Sequence, residues 1–323
     1  MRHLTTFKLI DAVVRSGSIR KAAEDMALTP SALHRRLQAF EEELGEQIFE
    51  RMTHGVQLNA AGEVVIHHIR SQIAETERLK SRLADLSGVR RGHVRVACSQ
   101  ALAASFLPQE IASYRRSFPA VTFAVEVLDH QSSERALADY SVDLAFMYNS
   151  NQFQEFEVVA AVQQNLVAIL AEDHPLASQE VLRLRDCLKH PLALPNQRFG
   201  GRQLLQKSIT THSEQLYPDL ESNSFEFLKK YVLEEHAVSF HIPIGVPEDE
   251  RMLGLISRSI DTRDVLPGTL YFGHKRGRLL PVASARFADQ VVRSLTARYP
   301  PDSGSTRVGR LMTPDDSKAY TSL

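Results

Sequence analysis

The sequence predicts a mainly helical winged helix-turn-helix domain, a long linker helix and a larger α/β domain. Three helical patterns, a tight turn and a hairpin pattern fill residues 1–58. One long amphipathic pattern follows. Strand patterns then alternate with helical ones up to residue 300, which favours parallel βαβ units. The chain has 323 residues, enough for two or three domains.

Capping residues mark the boundaries of the first helices. Apolar residues recur at helical spacing over residues 4–16, and the turn "SGS" ends this helix. Ser18 is a favourable N-cap for a second helix over residues 19–26. Thr29 can cap a third helix, in which Pro30 takes the first position, where a missing N–H costs nothing.

The third helix, predicted over residues 30–44, separates an apolar face from a basic one. Its apolar stripe consists of Leu33, Leu37, Phe40 and Leu44. Its opposite face presents Ser31, His34, Arg35 and Gln38, with Arg36 beside them. Arginine can bind guanine with two hydrogen bonds or hold a phosphate, and serine and histidine can donate to either. We expect Gly45 to end this helix.

The segment "IFERMTHGVQLN" predicts a β-hairpin, because two strand-like pieces flank a turn that contains glycine. Helix, short turn, basic helix and hairpin together are typical of a winged helix-turn-helix, whose second paired helix enters the major groove of DNA. Residues 1–58 contain eight basic and eight acidic side chains. DNA binding would therefore depend on where the charge lies. Taken alone, "HRR" could equally be a solvated face.

The longest helical pattern covers residues 61–87. Positions spaced alternately by three and four residues are Gly62, Val65, Ile69, Gln72, Thr76, Leu79, Leu83 and Leu86. This spacing predicts a heptad seam with two polar layers, in a helix about 40 Å long. We expect the seam to form a homodimer. The alternative is one amphipathic helix that packs on its own domain.

The second half begins after the break "SGVRRGH". We expect a strand at "HVRVAC", one helix over residues 101–118, further alternating strands and helices, and a closing helix over 281–299. Residues 301–323 are polar and lack periodicity, which predicts a flexible tail.

Composition excludes several classes of protein. The net charge of −1 gives no diffuse basic surface for nucleic acid. Cys98 and Cys187 have no metal or CxxC spacing, and no GxSxG, P-loop or GxGxxG motif occurs. We therefore expect no enzyme, no metal and no cofactor. The N-terminus lacks a signal-peptide pattern and no long apolar run occurs, which indicates a cytoplasmic protein without a membrane span.

The segment "SGSIRKAAEDMALTPSALHRRLQAFEEELGEQIFER" resembles the N-terminal signature of LysR-type transcriptional regulators. The likeness extends through "GVQLNAAGE", the long helix, "FLPQEIASYRRSFPAVTFAVEV" and "DLAF". It implies a DNA-binding homodimer that assembles into a homotetramer, with a two-lobed α/β effector domain similar to periplasmic binding proteins. The implied division is 1–58 for DNA binding, 59–89 for the linker helix, 93–163 and 268–300 for lobe I, 164–267 for lobe II, and 301–323 for the tail.

The recognition helix departs from the family pattern "SQPALSRQI", since this chain has "TPSALHRRL". His34 replaces a frequent serine, while Arg35 matches the usual arginine. The wing sequence "MTHG" lacks an arginine that is frequent there. The family's DNA contacts carry over most directly to Arg35 and Arg51. The full set of candidate DNA-binding residues is Ser18, Pro30, Ser31, His34, Arg35, Arg36, Arg51 and His54.

A ligand site in such a fold lies between the lobes, where strands end and helices begin. The junction "ACSQAL" puts Ser99 and Gln100 beside free N–H groups, which suits a carboxylate or another small polar ligand. The resemblance also implies effector contacts at Ser99. The full set of candidate effector-binding residues is Ser99, Gln100, His130, Gln131, Phe199, Gly201 and Ser224. Plain helix caps and core packing are the alternative roles for these residues.

Three other functions stay open at this point. The chain could be an enzyme, or an architectural DNA-binding protein whose second half only dimerises. It could also sense redox state through Cys98 or Cys187. Residues 93–300 are more than dimerisation needs, and the peroxide-sensing relatives use a thiol pair in lobe II, where only Cys187 would lie.

Overall fold

The structure is a computed structural model that describes residues 2–53, 55–86, 91–149, 155–211, 216–246 and 254–300. The chain divides after Leu83 into two compact units. His54 and the predicted tail, 301–323, lie outside the described residues. No helix in the described ranges combines the length and the apolar composition that crossing a bilayer needs.

Three helices open the first unit, and their caps are those that the sequence predicts. They are α1 (Arg2–Ser16), α2 (Ile19–Asp25) and α3 (Pro30–Leu44). The Ser18 hydroxyl accepts a hydrogen bond from Lys21 N at 3.4 Å, and the Thr29 hydroxyl accepts one from Ala32 N at 3.2 Å. Gly45 adopts the left-handed conformation, with φ of 80°, and ends α3.

The predicted wing is an antiparallel pair of strands, β1 (Phe49–Met52) and β2 (Gly55–Leu58). Gly55 has a φ of 101°, and a Cβ at this position would collide with the carbonyl oxygen of Gly17. The turn of the wing therefore requires glycine for its backbone angle and for its close approach to the α1–α2 turn.

The linker helix α4 (Ala60–Leu86) belongs partly to the core of the first unit. That core consists of Leu9, Ile10, Val13, Ala22, Ala23, Leu33, Leu37, Ile48, Ile66 and Ile69. Ile69 of the predicted seam is therefore buried within its own unit. Leu44, predicted in the apolar stripe of α3, is instead 41% exposed, because it lies in the last turn beyond this core.

The second half of α4 has a different environment. Leu79, Leu83 and Leu86 are 56%, 55% and 85% exposed. The predicted seam thus serves two purposes: its N-terminal part packs on its own unit, and its C-terminal part presents leucine to solvent.

The second unit is an α/β structure. Its first elements are β3 (Gly92–Cys98), α5 (Gln100–Ala104), α6 (Phe106–Ser117), β4 (Val121–Val127), α7 (His130–Ala138), β5 (Leu144–Tyr148) and β6 (Phe156–Gln164). The next are β7 (Val167–Ala171), β8 (Val181–Leu182), α8 (Leu184–Cys187), β9 (Ala193–Pro195), α9 (Gly200–Thr211), β10 (Leu220–Ser222), α10 (Phe225–Glu235) and β11 (Ser239–His241). The last are a 3-10 turn (Pro243–Gly245), β12 (Leu255–Ile260), β13 (Gly268–Lys275) and α11 (Val282–Arg298).

Lobe I contains a five-stranded sheet in the order β4-β3-β5-β13-β6. Strand β3 pairs in parallel with β4 and β5, whereas β13 pairs antiparallel with β5 and β6. The expectation of parallel βαβ units is right for β3, β4 and β5. It is wrong for β13, which returns from lobe II and runs antiparallel to both of its neighbours.

The single helix predicted over residues 101–118 is also wrong, because the chain leaves the helical conformation at Ser105. Pro108 supplies the reason. Proline lacks an N–H, and in a helix interior its ring clashes with the carbonyl one turn earlier. Restarting the helix at Phe106 puts Pro108 in the first turn of α6, where neither problem arises.

Lobe II contains a four-stranded sheet in the order β11-β7-β12-β8, and β9 and β10 form a separate parallel pair. The central strand β7 is antiparallel to both β11 and β12. The chain leaves the first sheet after Gln164 and enters the second at Val167. It returns between Ile260 and Gly268, so two neighbouring connections join the lobes.

Candidate functional site

The first candidate site is the exposed face of α3. Arg35, Arg36 and Ser31 are exposed, and His34 is half-buried, while the opposite face is held in the core by Leu33 and other apolar residues. Residues three and four apart lie on the same side of a helix, so Ser31, His34 and Arg35 form one continuous surface. Neither Arg35 nor Arg36 has a carboxylate partner within the described part of the chain. Both cations are available to phosphates or bases.

The remaining candidates for DNA contact lie at helix starts and in the wing. Ser18 is the N-cap of α2, and Pro30 is the first residue of α3. The Ser31 hydroxyl lies 3.3 Å from the Thr29 hydroxyl at the positive end of the α3 dipole. Arg51 is in β1, but its side chain is outside the description, as is all of His54.

The carboxylate of Glu41 has a structural role that the sequence did not reveal. It accepts hydrogen bonds from the backbone N–H groups of Ile48 at 2.8 Å and Phe49 at 3.3 Å. This contact fixes the end of α3 to the start of the wing. The groove between them has a volume of about 720 Å³ and is lined by residues that include Glu42, Glu46 and Glu50. These carboxylates repel phosphates, so the N-terminal half of α3 is the side that suits DNA.

The second candidate site is the boundary between the lobes, where the sequence predicts a ligand cleft. On lobe I, Ser99 follows β3 at the N-cap position of α5, and its hydroxyl makes no capping hydrogen bond. The N–H of Leu128 donates to the carbonyl of Cys98 at 2.8 Å, which places the start of α7 at the same edge of the sheet. His130, half-buried, and Gln131, exposed, begin α7 there.

Gln100 makes direct contact with lobe II. Its Oε1 accepts a hydrogen bond from Phe225 N at 2.8 Å, and its Nε2 donates to the carbonyl of Asn223. The amide that we expected to face a ligand is therefore occupied by the backbone of the other lobe. A Cβ at Gly245 would collide with Ala101, so the 3-10 turn of lobe II also lies close against α5.

On lobe II, the starts of α9 and α10 lie side by side. The Phe199 ring is 5.2 Å from the Phe225 ring, centroid to centroid. The backbone of Gly201 lies near the Tyr148 ring of lobe I, at the end of β5. Ser224 is the N-cap of α10 and accepts from Phe227 N at 3.3 Å, which is the plain capping role.

Two buried polar side chains near this cleft were missed by sequence reasoning. His241 ends β11 opposite Val167, the first residue of β7, and its ring packs 4.8 Å from the Phe225 ring. Burial, together with the positive charge of Lys229, lowers the pKa of His241 to about 3, so this imidazole is neutral at physiological pH. Arg202, in the first turn of α9, is also buried and donates to Glu221 at 2.9 Å. For His241, the signal available in the sequence was a histidine within the apolar segment "AVSFHIP".

Tyr148 and Gln164 hold the connection between the lobes. The Tyr148 hydroxyl donates to the Gln164 carbonyl at 2.9 Å, at the point where the chain leaves lobe I. The Gln164 side chain accepts from Ile244 N at 3.1 Å. These two contacts hold the chain at Gln164, the first of the two crossing points between the lobes.

The two cysteines do not have the environment of redox sensors. Both are fully buried, and burial raises the pKa of each thiol to about 12. A redox-sensing thiol needs exposure and a lowered pKa, because the thiolate is the reactive form. The structure therefore favours a packing role for Cys98 and Cys187.

A winged helix-turn-helix with an unpaired basic helix, in one chain with a two-lobed cleft domain, defines a ligand-responsive DNA-binding protein. A model of the bacterial regulatory helix-turn-helix proteins of the lysR family matches residues 4–63. A model of the LysR substrate binding domain matches residues 87–296. The chain belongs to the LysR family: it is a DNA-binding transcription regulator whose second domain binds a small-molecule effector.

Individual relatives agree with this assignment. The RuBisCO operon transcriptional regulator of Allochromatium vinosum is 26% identical over 292 residues, which are 90% of this chain and 95% of that protein. A full-length variant of OxyR from Pseudomonas aeruginosa has a TM-score of 0.67 at 17% identity, covering 89% of this chain and 94% of that one. Full-length CbnR in a complex with its target DNA has a TM-score of 0.60 at 18% identity, covering 90% of this chain and 99% of that one. The two solved structures share the fold of this chain.

Proposed function

We propose that α3 recognises a specific operator sequence in the major groove of DNA. The exposed basic face of α3, without carboxylate partners for Arg35 and Arg36, is the observation that carries this proposal. Arg35 binds a base edge or a phosphate, and Ser31 and His34 donate beside it. Ser18, Pro30, Arg36, Arg51 and His54 complete the set as contacts to the DNA backbone.

The oligomer is a homodimer formed through the C-terminal part of α4, and two dimers associate as a homotetramer. Oligomers are the working form of LysR regulators, and the exposed leucines of α4 support this surface. In this assignment residues 1–58 bind DNA, 59–89 dimerise, and 93–300 sense the effector. A two-fold dimer binds an operator with inverted half-sites.

The effector is a small polar metabolite, and an organic acid fits best. The uncapped Ser99 hydroxyl and the start of α9 at Gly200 offer donors to a carboxylate. His130, Gln131, Phe199, Gly201 and Ser224 surround the same cleft. We propose that the protein is cytoplasmic and that it catalyses no reaction.

Footprinting of the operator with and without metabolites tests this function. The proposal expects protection of an inverted repeat, and a footprint that changes with one class of small acid but not with the others. A thermal shift caused by the same acid would place its binding on this protein. Protection that no member of a broad metabolite panel alters, with no thermal shift, would favour the architectural alternative.

A further inference from the structure

In the described part of the chain, one backbone donor in the first turn of α10 has its acceptor in the opposite lobe. The first N–H groups of an α-helix have no acceptor within the helix. Lobe II supplies acceptors for two of them, since Ser224 N donates to the Ser222 hydroxyl at 3.0 Å and Phe227 N donates to the Ser224 hydroxyl. Phe225 N donates instead to Gln100 of lobe I, at 2.8 Å.

The side chain of Gln100 suits this position because a primary amide is both acceptor and donor. Its oxygen takes the N–H of Phe225, and its nitrogen gives a hydrogen bond to the carbonyl of Asn223. Both partners are backbone groups, so the contact depends on no side chain of lobe II. The bond joins residues 125 positions apart and crosses the cleft next to Ser99.

We propose that Gln100 is a positioning residue that latches the two lobes together in the effector-free protein. This inference rests on the proposed effector cleft and deepens it. An effector carboxylate competes with the Gln100 amide for Phe225 N–H, because a charged acceptor makes a stronger hydrogen bond than a neutral one. Displacing the amide breaks both of its bonds and frees α10 to move relative to α5. The latch thereby couples ligand entry to the angle between the lobes.

Amide hydrogen exchange of the full-length protein tests the latch directly. Phe225 N–H has no acceptor inside α10, so its protection reports the bond to Gln100. Gln100→Ala should speed exchange at Phe225 by up to about tenfold and leave Phe227 unchanged. Gln100→Glu offers a charged acceptor to Phe225 N–H and loses the donor to Asn223, so exchange at Phe225 should stay closer to the wild-type rate than in Gln100→Ala. The matched control Ser222→Ala should speed exchange at Ser224 and leave Phe225 protected.

The distance between the lobes gives a second measurement. Arg116 of α6 and Lys230 of α10 are exposed, and the native cysteines are buried, so spin labels attach to Arg116→Cys and Lys230→Cys. Gln100→Ala should lengthen or broaden the distance distribution in the absence of any metabolite, and Ser222→Ala should not.

Unchanged exchange at Phe225 in Gln100→Ala, or superimposable distance distributions, would overturn the latch. Wild-type operator binding is measured in parallel. If the wild type did not bind its operator, the proposed function would be refuted. If the wild type bound normally and exchange at Phe225 were unchanged in Gln100→Ala, the latch alone would be refuted.

Discussion

The backbone N–H of Val56 donates to the carbonyl oxygen of Gly17 at 3.0 Å, and this hydrogen bond joins the wing to the turn between α1 and α2. The helix that presents Arg35 is held from the other side by Glu41, which bonds to the start of β1. The DNA-binding surface is thus built from local caps and two contacts to the wing. Disturbing either contact should impair DNA binding without touching a DNA-contacting residue.

Gly55→Ala should destabilise the first unit. The added Cβ would collide with the Gly17 carbonyl, and the left-handed backbone is unfavourable for alanine. We expect a loss of about 1–3 kcal/mol in the free energy of unfolding, measured in urea, and weaker operator binding. Gly45→Ala is the matched control, since Gly45 also has a positive φ but open space around it. Equal losses in both variants would contradict the role of the Gly17 contact.

Arg35→Ala should weaken binding to the operator by about 1–3 kcal/mol, because it removes a contact to a base or a phosphate. Fluorescence anisotropy with labelled operator at fixed salt measures the loss. Arg116→Ala, which removes an exposed arginine of α6, should leave the affinity unchanged. If Arg35→Ala bound the operator as tightly as the wild type, α3 would not lie in the major groove as proposed.

Leu79→Glu should break the dimer. Leu79 is 56% exposed in the single chain, and a seam of leucines buried against a partner does not tolerate a charge. Sedimentation should show a lower mass for the variant than for the wild-type oligomer. Val64→Glu charges a residue of the same helix that is 73% exposed but off the seam, and its mass should not change. A Leu79→Glu protein of unchanged mass would exclude this surface.

His241 should make the stability of the second unit depend on pH. Burial lowers its pKa from 6.5 to about 3, so below pH 6.5 the unfolded chain binds a proton that the folded protein does not. Above pH 6.5, His241 is neutral in both states and costs no stability. As the pH drops from 6.5 toward 3, the free energy of unfolding falls by at most about 1.4 kcal/mol per pH unit because of this residue. Urea unfolding at several pH values should show a shallower dependence for His241→Gln. Identical slopes would contradict the assignment.

The cysteines should be inert in the folded protein. Since burial raises the pKa of both thiols to about 12, iodoacetamide should modify Cys98 and Cys187 only after denaturation. Hydrogen peroxide should leave operator binding unchanged. Rapid modification of Cys187 in the native state would reopen the redox alternative.

Local chemistry made much of the first unit predictable. The starts of α2 and α3 follow from Ser18 and Thr29, whose hydroxyls accept N–H groups three residues on. The break before α6 was also available in the sequence, since Pro108 can only lie in a first helical turn. The apolar spacing of α4 correctly gave one long helix. It could not show that Ile69 packs in the core of the first unit, because periodicity does not identify what an apolar helix face packs against.

The cleft was less predictable because its contacts are remote in sequence. Ser99 was predicted as a ligand contact because strand-to-helix junctions carry a local signal, and the structure places it at the N-cap of α5. The hydrogen bonds between Gln100 and Phe225 and between Gln164 and Ile244 join distant segments, and no local sequence pattern predicts them. The alternation of strands and helices likewise could not show that β13 runs antiparallel to its neighbours, since strand direction is set by the tertiary fold.

Binding of the purified protein to fragmented DNA from its host, at two salt concentrations, tests the central claim most directly. Sequence-specific recognition by α3 predicts that a few fragments sharing an inverted repeat are enriched and persist at the higher salt. Uniform binding to all fragments that disappears as salt is raised would mean contacts to phosphate alone, and would contradict operator recognition by this protein.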